Sequence, residues 1–117
     1  MYPFWPSGYY DFAYASPKMV KRSARDLLGE VLDVIRREGW SVSGWGFTPP
    51  WNIAHAMYGV VCEEFHLSSE RDLVQGEMRG LLNAQCREGF LLWECQTPRT
   101  EADVIDLLER AIESVGP

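Results

Sequence analysis

No stretch of the chain reaches the ~20 consecutive apolar residues that a helix needs to cross a bilayer, so no membrane span is expected. The start has no basic segment leading into an apolar run, so no secretory signal is expected either. Also missing are the phosphate loop Gly-x-x-x-x-Gly-Lys-Ser/Thr, the dinucleotide pattern Gly-x-Gly-x-x-Gly and the zinc-protease motif His-Glu-x-x-His. Nucleotide and metalloprotease chemistry therefore have no basis in the sequence. Positive charge is scarce, with 11 Lys and Arg against 17 Asp and Glu and a net charge of −6. Nucleic acid is gripped through its phosphates by a basic face, so no nucleic-acid partner is expected; a local basic patch is confined to Lys18, Lys21, Arg22 and Arg25. Cysteine is sparse too. Cys62, Cys86 and Cys95 show no Cys-x-x-Cys spacing, and any intramolecular pairing leaves one over. They read as buried, reduced thiols of a cytoplasmic protein.

What is present is one domain's worth of chain: 117 residues, 46% hydrophobic and 24% charged, the balance of an ordinary folded core. Aromatics crowd the beginning, where Tyr2, Phe4, Trp5, Tyr9, Tyr10, Phe12 and Tyr14 are interrupted by Pro3, Pro6 and Gly8. Each such ring can bury roughly 150–250 Å², so this arm, residues 1–22, is expected to dock. Two destinations are open: across the helices of the domain formed by 23–117, or on another protein chain, since Tyr and Trp dominate interface hot spots. In the second case Tyr2, Phe4, Trp5, Tyr9 and Tyr10 are the candidate binding residues, and the partner is another protein or a second copy of this chain.

Four helices are expected, near 24–38, 52–66, 70–88 and 101–115. Ser23, Asn52, Ser68 or Ser69, and Thr100 are candidate N-caps, with Asp26, Asp72 and Asp103 three residues after Ser23, Ser69 and Thr100. Gly39 and Gly89 are candidate stops. Apolar residues recur at helical spacing: Leu27, Leu28, Val31, Val34 and Ile35; Leu73, Val74, Met78, Leu81, Leu82 and Cys86; Val104, Ile105, Leu108, Ala111, Ile112 and Val115. The second helix, with Ile53, Ala54, Ala56, Met57, Val60, Val61 and Phe65, is so apolar that a central position is expected for it. Gly76 and Gly80 suggest close approach by a neighbouring helix. Residues 41–50 form a loop that Trp45 and Phe47 should pin to the body. Phe90–Trp93 is too short for a helix by its pattern and reads as one strand or an extended connector. The expected fold is mainly α, a bundle of about four helices with an aromatic N-terminal arm and little or no β-structure.

Chemistry-bearing groups are few. On a continuous helix His55, Cys62 and His66 fall within roughly 20° of one another. His55 and His66 are nevertheless about 16 Å apart along such a helix, too far to share one ion. Only Cys62 with His66 can chelate together, with Cys86 or Cys95 as a further ligand, and the same residues are the one Cys-His nucleophile candidate. Glu63-Glu64 and Glu101-Asp103-Asp106 read as solvated helix surface and helix-start acids. No catalytic residue and no cofactor is assigned.

Trp93, Arg99, Thr100, Asp103 and Val104, together with Gly39-Trp40, form a pattern that resembles a family of small proteins of unknown function from actinobacteria and their phages. Its members end on Trp, a polar loop, Arg-Thr, two variable residues, an acid and Val before the last helix. The chain departs from it at Glu94-Cys95, where the family has Asn-Asp, and near Ile53–Met57, where the family's Cys-x-x-Gly-Ala is missing. The resemblance implies a helical fold and an actinobacterial or phage origin, and no reaction. Trp93 and Arg99 are the further candidate binding residues, Trp93 as a buried anchor and Arg99 as a brace of the loop leading to the Thr100 cap or as a ligand contact. The functional expectation is a noncatalytic protein-binding or regulatory domain, with a small Cys/His enzyme or metal module as the alternative.

Overall fold

The computed structural model describes residues 17–96 and 98–115, and for 17–23 the backbone alone. The aromatic arm and its candidates Tyr2, Phe4, Trp5, Tyr9 and Tyr10 lie outside the described residues. Among the described residues five helices follow one another: α1 Pro17–Glu38, α2 Ile53–Glu64, α3 Ser68–Asn83, α4 Phe90–Cys95 and α5 Glu101–Glu113. The domain is mainly helical, as its apolar spacing predicts. Among the described residues β-structure is limited to one isolated bridge between Trp40 and Trp51.

α1 is the axis. Ala24, Leu27, Leu28, Val31, Leu32 and Ile35 are buried along it, and it packs against α2, α3 and α5. The central position expected for the second helix therefore belongs to the first. α2 buries Ile53, Ala56, Met57, Val60 and Val61 but shows Tyr58, Gly59, Glu63 and Glu64 to solvent. Its composition is apolar, yet with a mere 12 residues it has one covered face, whereas α1 has 22 residues and reaches three neighbours. α2 and α5 both begin at the C-terminal end of α1 and run back along it. Trp51 N–H donates to Gly39 O at the start of α2, and Arg25 Nε–H donates to Ile112 O near the end of α5.

Three boundaries differ from expectation. Ser23 lies inside α1, which starts at Pro17, so its position is not that of an N-cap. α3 starts at Ser68 with Leu67 as N-cap and no side-chain bond, so neither Ser68 nor Ser69 is its cap. α3 ends at Asn83, and turns carry the chain to Gly89. With φ of +87°, Gly89 is the N-cap of α4 rather than the stop of α3. The run read as a strand or connector is thus a helix, because Asn83 Oδ1 accepts Phe90 N–H and the turn buries Phe90, Trp93 and Glu94 at i, i+3 and i+4. Gly76 and Gly80 are exposed, and a Cβ at either would meet nothing within 4 Å, so they admit no neighbouring helix. Leu73 is exposed as well, while Val74, Met78, Leu82 and Cys86 are buried. Asn52 and Thr100 cap as expected: Asn52 Oδ1 accepts His55 N–H at 2.7 Å, and Thr100 forms a reciprocal capping box with Asp103.

Candidate functional site

The loop joining α1 to α2 is fastened by polar groups. Gly39, at φ +92°, ends α1 with its N–H on Ile35 O and turns the chain. Trp51 N–H donates to Gly39 O, Ser41 N–H to Trp51 O and Asn52 N–H to Gly44 O, each at 3.1 Å, which closes the loop on itself. Gly44 has to be glycine, since a Cβ there would stand 2.5 Å from Asn52 N and 2.6 Å from Pro50 O.

Three carboxylates fix the base of this loop. Glu94 on α4 is 4% exposed, and its Oε2 accepts both the Trp40 indole N–H at 2.7 Å and Ile53 N–H, the first amide of α2, at 2.6 Å. Burial pushes the Glu94 carboxyl above the usual carboxylate range, and the bonds from Ile53 and Trp40 draw it part of the way back. Glu38 accepts the Trp51 indole N–H at 2.7 Å and two bonds from Arg37, which hold its carboxyl below the usual range. Glu101 accepts Trp40 N–H at 3.0 Å.

With the base held, the tip presents apolar groups to water. Val42 and Trp45 are exposed, Trp45 by 61%, and Phe47 is fully exposed. The expectation that Trp45 and Phe47 pin the loop is overturned, because Trp40 and Trp51 hold it instead. Trp45 still touches the body at its edge: its ring meets that of His55 in a T-shaped contact at 5.8 Å, and His55 lies 5.1 Å from the Trp51 ring. The rings of Trp51 and His55 border a groove of about 330 Å³ between α1 and α2, lined also by Val34, Ala56, Val60 and Glu63 among others. The arrangement offers an aromatic and apolar contact surface.

The structure brings Trp93 and Arg99 together, a contact the sequence reading did not include. Trp93 is buried, and the Arg99 guanidinium carbon lies 4.1 Å from its ring centroid. Arg99 Nε–H donates to Trp93 O at 2.9 Å and a terminal N–H to Gln96 Oε1 at 3.0 Å, so the side chain folds back on the loop leading into α5. Cys62 and His66 do not share a helix, because α2 ends at Glu64. Cys62 is half-buried beside Tyr58, whose hydroxyl its side chain pushes upward, and His66 is exposed. His55 is occupied at the other end of α2 by the two indoles. Among the described residues no group of three His, Cys, Asp or Glu is placed to hold a metal ion. All three cysteines are free. Cys86 is buried and its thiol pushed up by burial, then by Glu88, whereas Cys95 is exposed, contrary to the reading of buried thiols.

Sequence reasoning missed Glu94 because its segment was read as a connector; spacing of i+4 from Phe90 is the cue that places it inward. It missed the groove because His55 was weighed with Cys62 and His66 and Glu63 with Glu64, along one helix and not across to Val34 of its neighbour. No described helix is long and apolar enough to cross a membrane. Compared with protein-family models, curated proteins and solved structures, the chain matches none.

Proposed function

We propose that this chain is a noncatalytic recognition domain that binds another protein through the loop carrying Val42, Trp45 and Phe47 and the groove beside it. The observation that carries this reading is the full exposure of Phe47 on a loop whose base is bonded to Glu38, Glu94 and Glu101. Exposed aromatics are costly in water, and a loop already held in place loses little conformational freedom when a partner covers it. Trp and Tyr anchors also carry a large share of interface energy. The aromatic arm, with Tyr2, Phe4, Trp5, Tyr9 and Tyr10, supplies further contact residues in this proposal, either to the partner or to a second copy. A phage-derived regulator of a host protein is the setting that agrees with the resemblance at Trp93 to Val104.

A photo-crosslinking phenylalanine analogue in place of Phe47, in the intact protein inside its own cell, should trap one discrete partner. The same analogue at Leu73, exposed on α3, should trap none. Trp45→Ser with Phe47→Ser should leave the melting temperature nearly unchanged, within about 0.5 kcal/mol of stability, and abolish an adduct formed from Val42. Equal adducts at 47 and 73, or unfolding of the double variant, would overturn the reading.

A further inference from the structure

The groove between α1 and α2 has a chemistry of its own. Its floor is apolar, made by Val34, Ala56 and Val60, and it is open at Gly59, where a Cβ would meet no atom within 4 Å. One wall is aromatic, Trp51 with His55, continued by Trp45 on the loop. The other leads to acids. Glu63 lines the groove, and Glu30 on α1 is held above the usual carboxylate range first by burial and then by Glu64, Glu63, Asp33 and Asp26. Among the described residues no cation pairs with any of the five, for Arg36 is engaged by Glu109, Arg37 by Glu38, Arg110 by Asp106, Arg25 by Ile112 O and Arg71 by Phe65 O. Arg37 is a positive group lining the groove, and Glu38 already neutralises it.

Resting on the reading of the chain as a recognition domain, we propose that this groove takes a segment of a partner protein in which lysine or arginine alternates with apolar residues. Apolar side chains seat on Val34, Ala56, Gly59 and Val60, and cations meet Glu63 and the acids beyond it. Like charges left unpaired at one edge of an apolar trough repel one another, and an incoming cation relieves that repulsion while its apolar neighbour removes the trough from water. An aromatic wall suits the same cation, since a guanidinium or ammonium is attracted to an indole face. A neutral apolar segment leaves the acids unpaired, and a nucleic acid is repelled by them.

The test uses the intact chain and two labelled synthetic peptides of equal length, alternating Lys-Leu and alternating Lys-Ser, followed by fluorescence anisotropy. The Lys-Leu peptide should bind, and the Lys-Ser peptide should bind at least about tenfold more weakly, because it has the charge without the apolar contacts. Gly59→Leu, whose Cβ meets no atom within 4 Å and whose branched end narrows the trough, should weaken Lys-Leu binding by about tenfold or more with the helical circular dichroism preserved. Glu63→Lys with Glu64→Lys should weaken both peptides. Independently of any variant, amide shifts on adding the Lys-Leu peptide should centre on Ala56, Gly59 and Val60 and spare Gly76. Equal binding of the two peptides, no binding of either, or shifts spread over α3 would overturn the proposal. A discrete adduct at Phe47 without Lys-Leu binding removes this class of partner and retains the recognition reading; Lys-Leu binding in the groove without an adduct at Phe47 supports the groove and removes the loop reading alone.

Discussion

Glu94 is the residue on which two elements hinge, because a single carboxylate oxygen satisfies a tryptophan indole and the first amide of α2. Glu94→Ala leaves both donors unpaired in a buried place, at about 1–3 kcal/mol each, so a loss of about 2–6 kcal/mol is expected by chemical denaturation. Glu94→Gln keeps an acceptor oxygen for both and should lie well above the alanine variant. Burial raises the carboxyl above its ordinary 4.5, so the folded protein holds that proton more tightly than the unfolded chain does. The stabilisation from this group is complete below the unfolded value and is lost as pH rises through the folded one. The stability of Glu94→Gln relative to the parent should therefore increase as pH rises above the ordinary carboxylate value of 4.5; a constant difference would show that the carboxyl is not raised. Trp93 and Arg99 give the second test at this scale. Trp93→Ala should cost roughly 3–5 kcal/mol as a large core truncation, and Arg99→Ala roughly 1–2 kcal/mol through the lost bonds to Trp93 O and Gln96. The burial of Trp93 and the folding back of Arg99 onto its loop were legible in the sequence, as an aromatic after an apolar run and a forked donor just before a cap; the stacking of one on the other was not. The inward position of Glu94 was not, since nothing local to an acid says that its charge will be taken out of water.

At the scale of elements, caps divide the legible from the illegible. Asn52 and Thr100 sit where the apolar pattern and the capping pattern begin together, and both cap as read. Ser23-x-x-Asp26 has the same pattern inside α1, because helical residues extend back to Pro17. A capping motif states a local preference, and a continuing helix overrides it. α3 shows the converse, an N-terminus with no side-chain cap because Leu67 occupies the cap position in extended backbone. Leu67 is exposed, so replacing it with Asp costs little burial and supplies the missing acceptor. Leu67→Asp should raise stability by about 0.5–1 kcal/mol, read as a higher melting temperature; no gain would mean that a first-turn donor is already satisfied. α4 was missed for a related reason. Six residues are too few to display a period, and what makes them helical is the Asn83 side chain receiving Phe90 N–H across a glycine turn.

For the molecule as a whole, α1 organises the bundle, and its core residues are shared by three neighbours. Leu28, fully buried on α1, should cost about 2–5 kcal/mol when cut to Ala, and the loss should appear as one cooperative transition with lowered midpoint. A second, separate transition would mean that α1 is not common to a single core. The sequence by itself determined that this protein is helical, with the start of α5, the caps of α2 and α5, the stop at Gly39 and Leu27, Leu28, Val31 and Ile35 of the buried face of α1, since each of these follows from spacing and backbone preference within a few residues. Tertiary structure alone decided which helix is central, that Glu94 is buried, that Trp40 and Trp51 hold the loop while Trp45 and Phe47 stand in water, and that a groove opens between α1 and α2. Those depend on which faces meet across long separations in the chain, as when Glu94 reaches Trp40 and Ile53. A local pattern says that a residue has a face to bury; only the neighbour that arrives there determines whether the face is covered.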